Sequence, residues 1–283
     1  MRAAGASPLA LGALAVAAGA TFLWNVGALP GMASRNIASF LLGLVLGWAV
    51  HHLAHRRFGA EILFAVATAT LLLVLITGTE LDGVKRWLAI GPIHLQPALI
   101  LSPLLVALVA SREGRHWRVA VLAPLALIAI QPDAATSFAL ALSVAVLMTD
   151  ASRRSARGWS RRRIVIAILS LSLAILGLIL AGIQTPPPVA FVEGTLGIAV
   201  LSGPLAVALH VAAVALTLAA LVSRHRPAGT ALAAYFAASF VAAIFWAFPM
   251  PVVGAGPAHL IGFGMAIGWL TVADRSASQT KFV

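Results

Sequence analysis

About ten apolar runs, most of them 15 to 20 residues long, follow one another with only short polar connections between them. A chain of this kind cannot bury so much apolar surface against itself in water, because burial is limited by the ratio of surface to volume. Its runs match the length needed to cross a bilayer core of about 30 Å as helices. A mean hydropathy of +1.02 over 283 residues supports the same conclusion. We therefore expect an all-α integral membrane protein forming one polytopic domain over residues 1–283, with ten transmembrane helices. The expected runs are 8–28, 36–54, 60–79, 96–111, 117–131, 134–149, 164–184, 203–222, 228–248 and 256–273. The first run, preceded by Arg2 and followed by small residues, reads as a retained helix, although a cleaved signal peptide has the same pattern. Residues 189–202 either lead into the eighth helix or lie at the membrane interface.

The charges give the chain a direction. Of its nineteen lysines and arginines, sixteen lie at the termini or in the even-numbered gaps between runs. Arg35, Lys85 and Arg86 alone lie in odd-numbered gaps. Loops rich in arginine stay on the cytoplasmic side, so both termini are expected there. The net charge of +11 is thus a matter of topology and is not expected to bind nucleic acid. The basic loop at 150–163, with Trp159 among its arginines, suits anionic lipid or an acidic partner segment. With no cysteine, the chain has no disulfide, no thiolate metal site and no covalently attached haem.

Chemistry is expected on the opposite face, in two polar interruptions. One runs from Asp82 through Lys85, Arg86 and Trp87 to Gln96-Pro97, and the other is Gln131-Pro132-Asp133-Ala134-Ala135-Thr136. Charged groups at bilayer depth are costly and persist when paired or facing a polar cavity. Arg86 can grip a phosphate through two parallel hydrogen bonds, and Lys85 adds a point charge. Asp133 precedes an apolar run and is either a helix cap and ion-pair partner for Lys85 or Arg86, or a functional group. Glu193 is the sole acidic residue between Asp150 and Asp274. His51, His52 and His55 read as an interfacial anchor, their flanking Arg56-Arg57 opposing a metal ion. His210 and His259 are expected to pair across helices, as bundle hydrogen-bonding groups or as a relay or haem site.

The spacing Gly83-x-x-Arg86-Trp87, then Gln96-Pro97, then Gln131-Pro132-Asp133-x-x-Thr136 resembles the SEDS family (shape, elongation, division and sporulation), that of RodA- and FtsW-type peptidoglycan polymerases. Pro249-Met250-Pro251 with Gly254 and Gly256 is similar to a further family turn. The resemblance implies a SEDS-like bundle acting in the cell envelope, in peptidoglycan-related processes of cell shape or division. It also implies contact with membrane lipids, a lipid-linked saccharide and a membrane partner protein. Lys85, Arg86, Trp87 and Gln96 would then bind lipid or pyrophosphate, and Gln131, Asp133 and Thr136 would be structural. The chain departs from the family where Ala98-Leu99 replaces Ser-Glu, Ser102 replaces a lysine, and a loop carrying the catalytic aspartate shrinks to about 184–192. Glu193, beside Val192 at that aspartate's position, is the one remaining catalytic candidate. Two functions follow: a non-catalytic lipid- and partner-binding subunit, or a glycosyltransferase polymerising undecaprenyl-pyrophosphate-linked sugars. No cofactor is expected, save a divalent cation in the second case. A transporter finds little support.

Overall fold

The computed structural model describes residues 6–81, 84–91, 93–112, 115–153, 160–182, 189–223, 227–245 and 248–279. The chain opens with three helices, α1 (Pro8–Asn25), α2 (Pro30–Ala54) and α3 (Gly59–Thr77). Three strands follow: β1 (Thr79–Leu81), β2 (Val84–Ile90) and β3 (Ile93–Leu95). The remaining helices are α4 (Pro97–Ser111), α5 (Arg115–Ala120), α6 (Leu122–Ile130), α7 (Ala134–Arg153), α8 (Arg161–Ala181), α9 (Thr195–Ser202), α10 (Pro204–Val222), α11 (Pro227–Phe245) and α12 (Pro257–Gln279). Prolines open α1, α2, α4, α10, α11 and α12. A proline is at ease there because the first turn has no internal partner for its missing N–H.

Seven helices, α1, α2, α3, α7, α8, α10 and α11, are long and apolar enough to cross a membrane. The expected runs at 96–111, 117–131 and 256–273 correspond to shorter apolar stretches, Pro97–Ser111, His116–Ile130 and Pro257–Ala273. Two of these are central: α4 is buried at most positions, and nearly every described side chain of α12 from Ala258 to Leu270 is buried. A helix that is apolar and covered all round belongs inside the bundle, whereas α8 turns most of its surface outward.

The closest helix pair is α2 against α12. Gly43 and Gly47 face Gly264 and Gly268, and a Cβ added at Gly268 would lie 3.2 Å from the Cα of Gly47. Small residues four apart on both helices let the backbones touch, the usual source of helix affinity in lipid.

The all-α expectation needs a correction. The strands β1, β2 and β3 form an antiparallel sheet in that order, pairing Glu80 with Lys85 and Ala89 with His94. Along β2, Val84 and Arg86 are buried while Lys85 and Ala89 are exposed, the two-residue alternation of a half-covered strand. The expected basic loop falls partly outside the described residues at 154–159, and the shortened loop does so at 183–188.

Candidate functional site

The sheet, the residues before α9 and the turn before α12 meet at one end of the bundle. Met250 N–H donates to Val192 O at 2.9 Å and Ala255 N–H to Phe191 O at 2.7 Å. From α2, Arg35 donates to Ala255 O at 2.7 Å and Asn36 to Gly254 O at 3.0 Å. Gly254 fits because a Cβ would stand 2.5 Å from Val192 O. Phe191 and Val252 hold left-handed φ angles of 62° and 63°, a conformation that costs a β-branched or bulky residue and persists only when its surroundings fix it.

Within this knot Glu193 is 7% exposed. The Val189 N–H donates to its Oε2 at 2.9 Å, closing the turn on itself. Burial pushes the Glu193 carboxyl above its ordinary range, while the Val189 N–H and the charge of Arg86 draw it back. Arg86 is also 7% exposed, its guanidinium 4.5 Å over the Trp87 ring. Its Nε is buried with no hydrogen-bond partner among the described residues. Arg86 and Trp87 form one stacked pair, close enough to Glu193 for the arginine's charge to act on it, with no ion pair within 4.0 Å between Arg86 and Glu193 among the described residues.

The other expected ligand-binding residues lie apart from it. Lys85 points to the opposite face of β2 and pairs with Glu80 at 3.7 Å, both exposed. Gln96 donates to Asp133 Oδ2 at 2.6 Å. Asp133 is fully buried and caps α7, its Oδ1 accepting from the Thr136 N–H at 3.2 Å. Its expected pairing with Lys85 or Arg86 is absent among the described residues. Gln131 donates to Leu71 O across the bundle, and Thr136 is buried beside Asp133.

The histidines do not meet as expected either. His210 lies 3.3 Å from Thr195 Oγ1 and edge-on to Phe22, whereas His259 faces Phe248. His51 and His55 pack on Trp269, and His52 on Trp48. Among the described residues no group of three or more His, Asp or Glu converges on one point. Glu193, a lone carboxylate beside an arginine, does not suit a divalent cation.

Residues 9–193 match the family model of FtsW, RodA and SpoVE, described as cell cycle proteins. The chain belongs to this family. A structure of the rod shape determining protein RodA from Thermus thermophilus superposes with a TM-score of 0.63 at 20% identity, over 97% of this chain and 98% of that one. An aspartate-to-alanine mutant of the same protein gives 0.64 at 22% over the same shares. A chain from a peptidoglycan synthase complex, reported for its coordination of polymerization and crosslinking, gives 0.62 at 20%, again over 97% and 98%. No curated protein sequence matches significantly. The fold is thus RodA-like, and the protein is a multi-pass membrane member of the FtsW/RodA/SpoVE family. The family match ends at Glu193, so the Pro249-Met250-Pro251 turn joins the site through the fold.

Sequence reasoning misses two contributors, Arg35 and Asn36, which by sequence mark only a loop and a helix start. A polar pair at the opening of an apolar run is the available signal.

Proposed function

We propose that this FtsW/RodA/SpoVE-family protein binds the phosphate or pyrophosphate end of a membrane lipid or lipid-linked saccharide at Arg86. It would do so in a peptidoglycan-related process, without polymerising glycan itself. The observation that carries this reading is Arg86, a guanidinium nearly buried on Trp87 whose Nε has no hydrogen-bond partner among the described residues. A charged group in such a position is costly unless paired. Glu193 supplies part of the balance, and an anionic lipid group would supply hydrogen bonds the protein does not. Arg86→Ala should weaken the retention of co-purifying phospholipid or pyrophosphate lipid by about 10- to 150-fold in affinity, the loss of a charged hydrogen bond of roughly 1.5–3 kcal/mol. Native mass spectrometry reads this, and equal lipid content in both proteins would overturn it.

The alternative, a polymerase using Glu193 as base, draws on that carboxyl's raised proton affinity beside a cation. Against it, Oε2 is engaged by its own turn. We expect purified protein supplied with lipid-linked disaccharide-peptide and a divalent cation to make no glycan chains, and Glu193→Gln to preserve its cellular role. Because Glu193 binds a proton more tightly folded than unfolded, its contribution to stability is full below the unfolded value and is lost as pH rises through the folded one. Glu193→Gln should therefore be at least as heat-stable as wild type at pH 7. Glycan chains that vanish in Glu193→Gln would establish the enzyme.

The same reading takes the bundle as ten crossings with cytoplasmic termini and the sheet outside, so that Arg86 meets the outer leaflet. Both Ala89 and Ser160 are exposed. Cysteines introduced at these positions should label from opposite sides of the membrane, and labelling from one side would remove this topology. Partner proteins in the membrane belong to the proposal too, with α8 the most exposed of the spanning helices.

A further inference from the structure

The furrow between α7 and α8 is closed at both ends and open along its middle. At one end a Cβ added to Gly177 would stand 2.5 Å from Ser137 Oγ, so the helices touch there. At the other, Arg163 Nη1 donates to Ser152 Oγ at 3.5 Å. Between these contacts Ala141 and Ala145 of α7, with Ala167 of α8, line a groove of about 250 Å³. Leu142, Ile168 and Leu171 line it too and are exposed, forming its rim. From Arg163 to Gly177 is fourteen residues, about 21 Å at the helical rise. One leaflet of a bilayer core is about 15 Å deep, so the furrow has the length of a lipid chain.

Charge gathers at one end only. Arg153 closes α7 while Arg161, Arg162 and Arg163 open α8, and of these Arg153, Arg161 and Arg162 are exposed. Asp150 is the one acidic residue on either helix. Cations in the first turn of a helix oppose its dipole, so the three arginines of α8 are not there for the helix's sake. The groove begins close beneath them, because Ala167 follows Arg163 by four residues, about 6 Å along the axis. This end of α7 is remote from the sheet. Asp133, just before α7, bonds Gln96, just after β3, which leaves Arg153 at the far end of the helix.

We propose that the α7–α8 groove seats one acyl chain of an anionic glycerophospholipid whose phosphate rests on the arginine tier. An acidic peptide would meet the arginines and leave the groove open. A transmembrane helix, about 10–12 Å across, would lie over the rim without entering it. A phospholipid fills both places, and its negative charge offsets the repulsion between those arginines and the dipole of α8. The site is separate from Arg86 and lies at the opposite end of the bundle.

The test is a titration of delipidated, detergent-purified protein with phosphatidylglycerol or phosphatidylcholine of equal chain length, the bound lipid counted by native mass spectrometry. Phosphatidylglycerol should bind about 25-fold tighter, fivefold for each of Arg161 and Arg162. Arg161→Gln with Arg162→Gln should erase that preference. Ala145→Phe, which fills the groove and leaves the arginines in place, should weaken both lipids. Arg86→Ala should change neither difference, which separates this outcome from binding at the sheet. A structure of the wild type with phosphatidylglycerol brominated at mid-chain should place the bromine against Ala145 and Ala167, and it decides should a variant misfold. Equal affinity for the two lipids, or bromine elsewhere, would overturn the site. Loss in the arginine pair with Ala145→Phe unchanged would also overturn it, and would leave the arginines to an acidic partner segment.

Discussion

Gly43→Leu should leave almost no folded protein. The Cβ alone would stand 2.9 Å from Gly264 Cα and press on Ile261 O. These are backbone atoms of α12, which cannot step aside as a flexible side chain does. The two helices would have to part along the whole seam, exposing packing that lipid does not replace. Overfilling a tight core usually costs about 1–3 kcal/mol, and a leucine against backbone should reach the upper end or exceed it. Gly43→Ala should fall between, while Gly197→Ala, where a Cβ meets nothing within 4 Å, should be neutral or slightly stabilising. Size-exclusion profiles and Tm in detergent provide the measurement. A monodisperse Gly43→Leu protein with wild-type Tm would show that the seam is not the primary contact it looks like.

Asp133→Ala should be nearly as damaging. It removes the cap of α7, worth about 1 kcal/mol. It also strands the buried Gln96 amide that donated to Oδ2, adding about 1–3 kcal/mol for an unsatisfied group. The sum is far more than an exposed cap would lose. Gln96→Leu in the Asp133→Ala background should recover part of the loss, because the orphaned amide disappears with its partner. If the single variant matches wild type in Tm and yield, Asp133 is not the internal brace described here.

Much of the fold was legible because membrane helices announce themselves by run length. The expected run 60–79 became Gly59–Thr77, and 203–222 became Pro204–Val222, with proline setting the second start. What escaped was local and polar. The stretch 79–95 alternates buried and exposed residues over only a few positions, and Asp82-Gly83 between the first two strands is a hairpin-favouring pair that reads equally well as a loop. The glycine spacing on α2 and α12 was visible in the sequence, but its partner lay far along the chain. For the candidate site, residue types were readable and their pairings were not. Lys85 and Arg86 are neighbours in sequence yet face opposite sides of a strand. Asp133 takes Gln96, 37 residues away, where Lys85 or Arg86 is the ion-pair partner expected from the sequence.

The glycine seam also sets an order on how the protein is made. Gly264 follows Gly43 by 221 residues, and α1 likewise packs chiefly on a distant helix, α10. At about 5–20 residues per second on the ribosome, α2 waits roughly 10–45 s for the surface it is shaped to meet. Throughout that interval its bare glycine groove is open to whatever the membrane holds. Because α12 is the helix that covers this face of α2, a nascent chain interrupted before α12 keeps the groove bare.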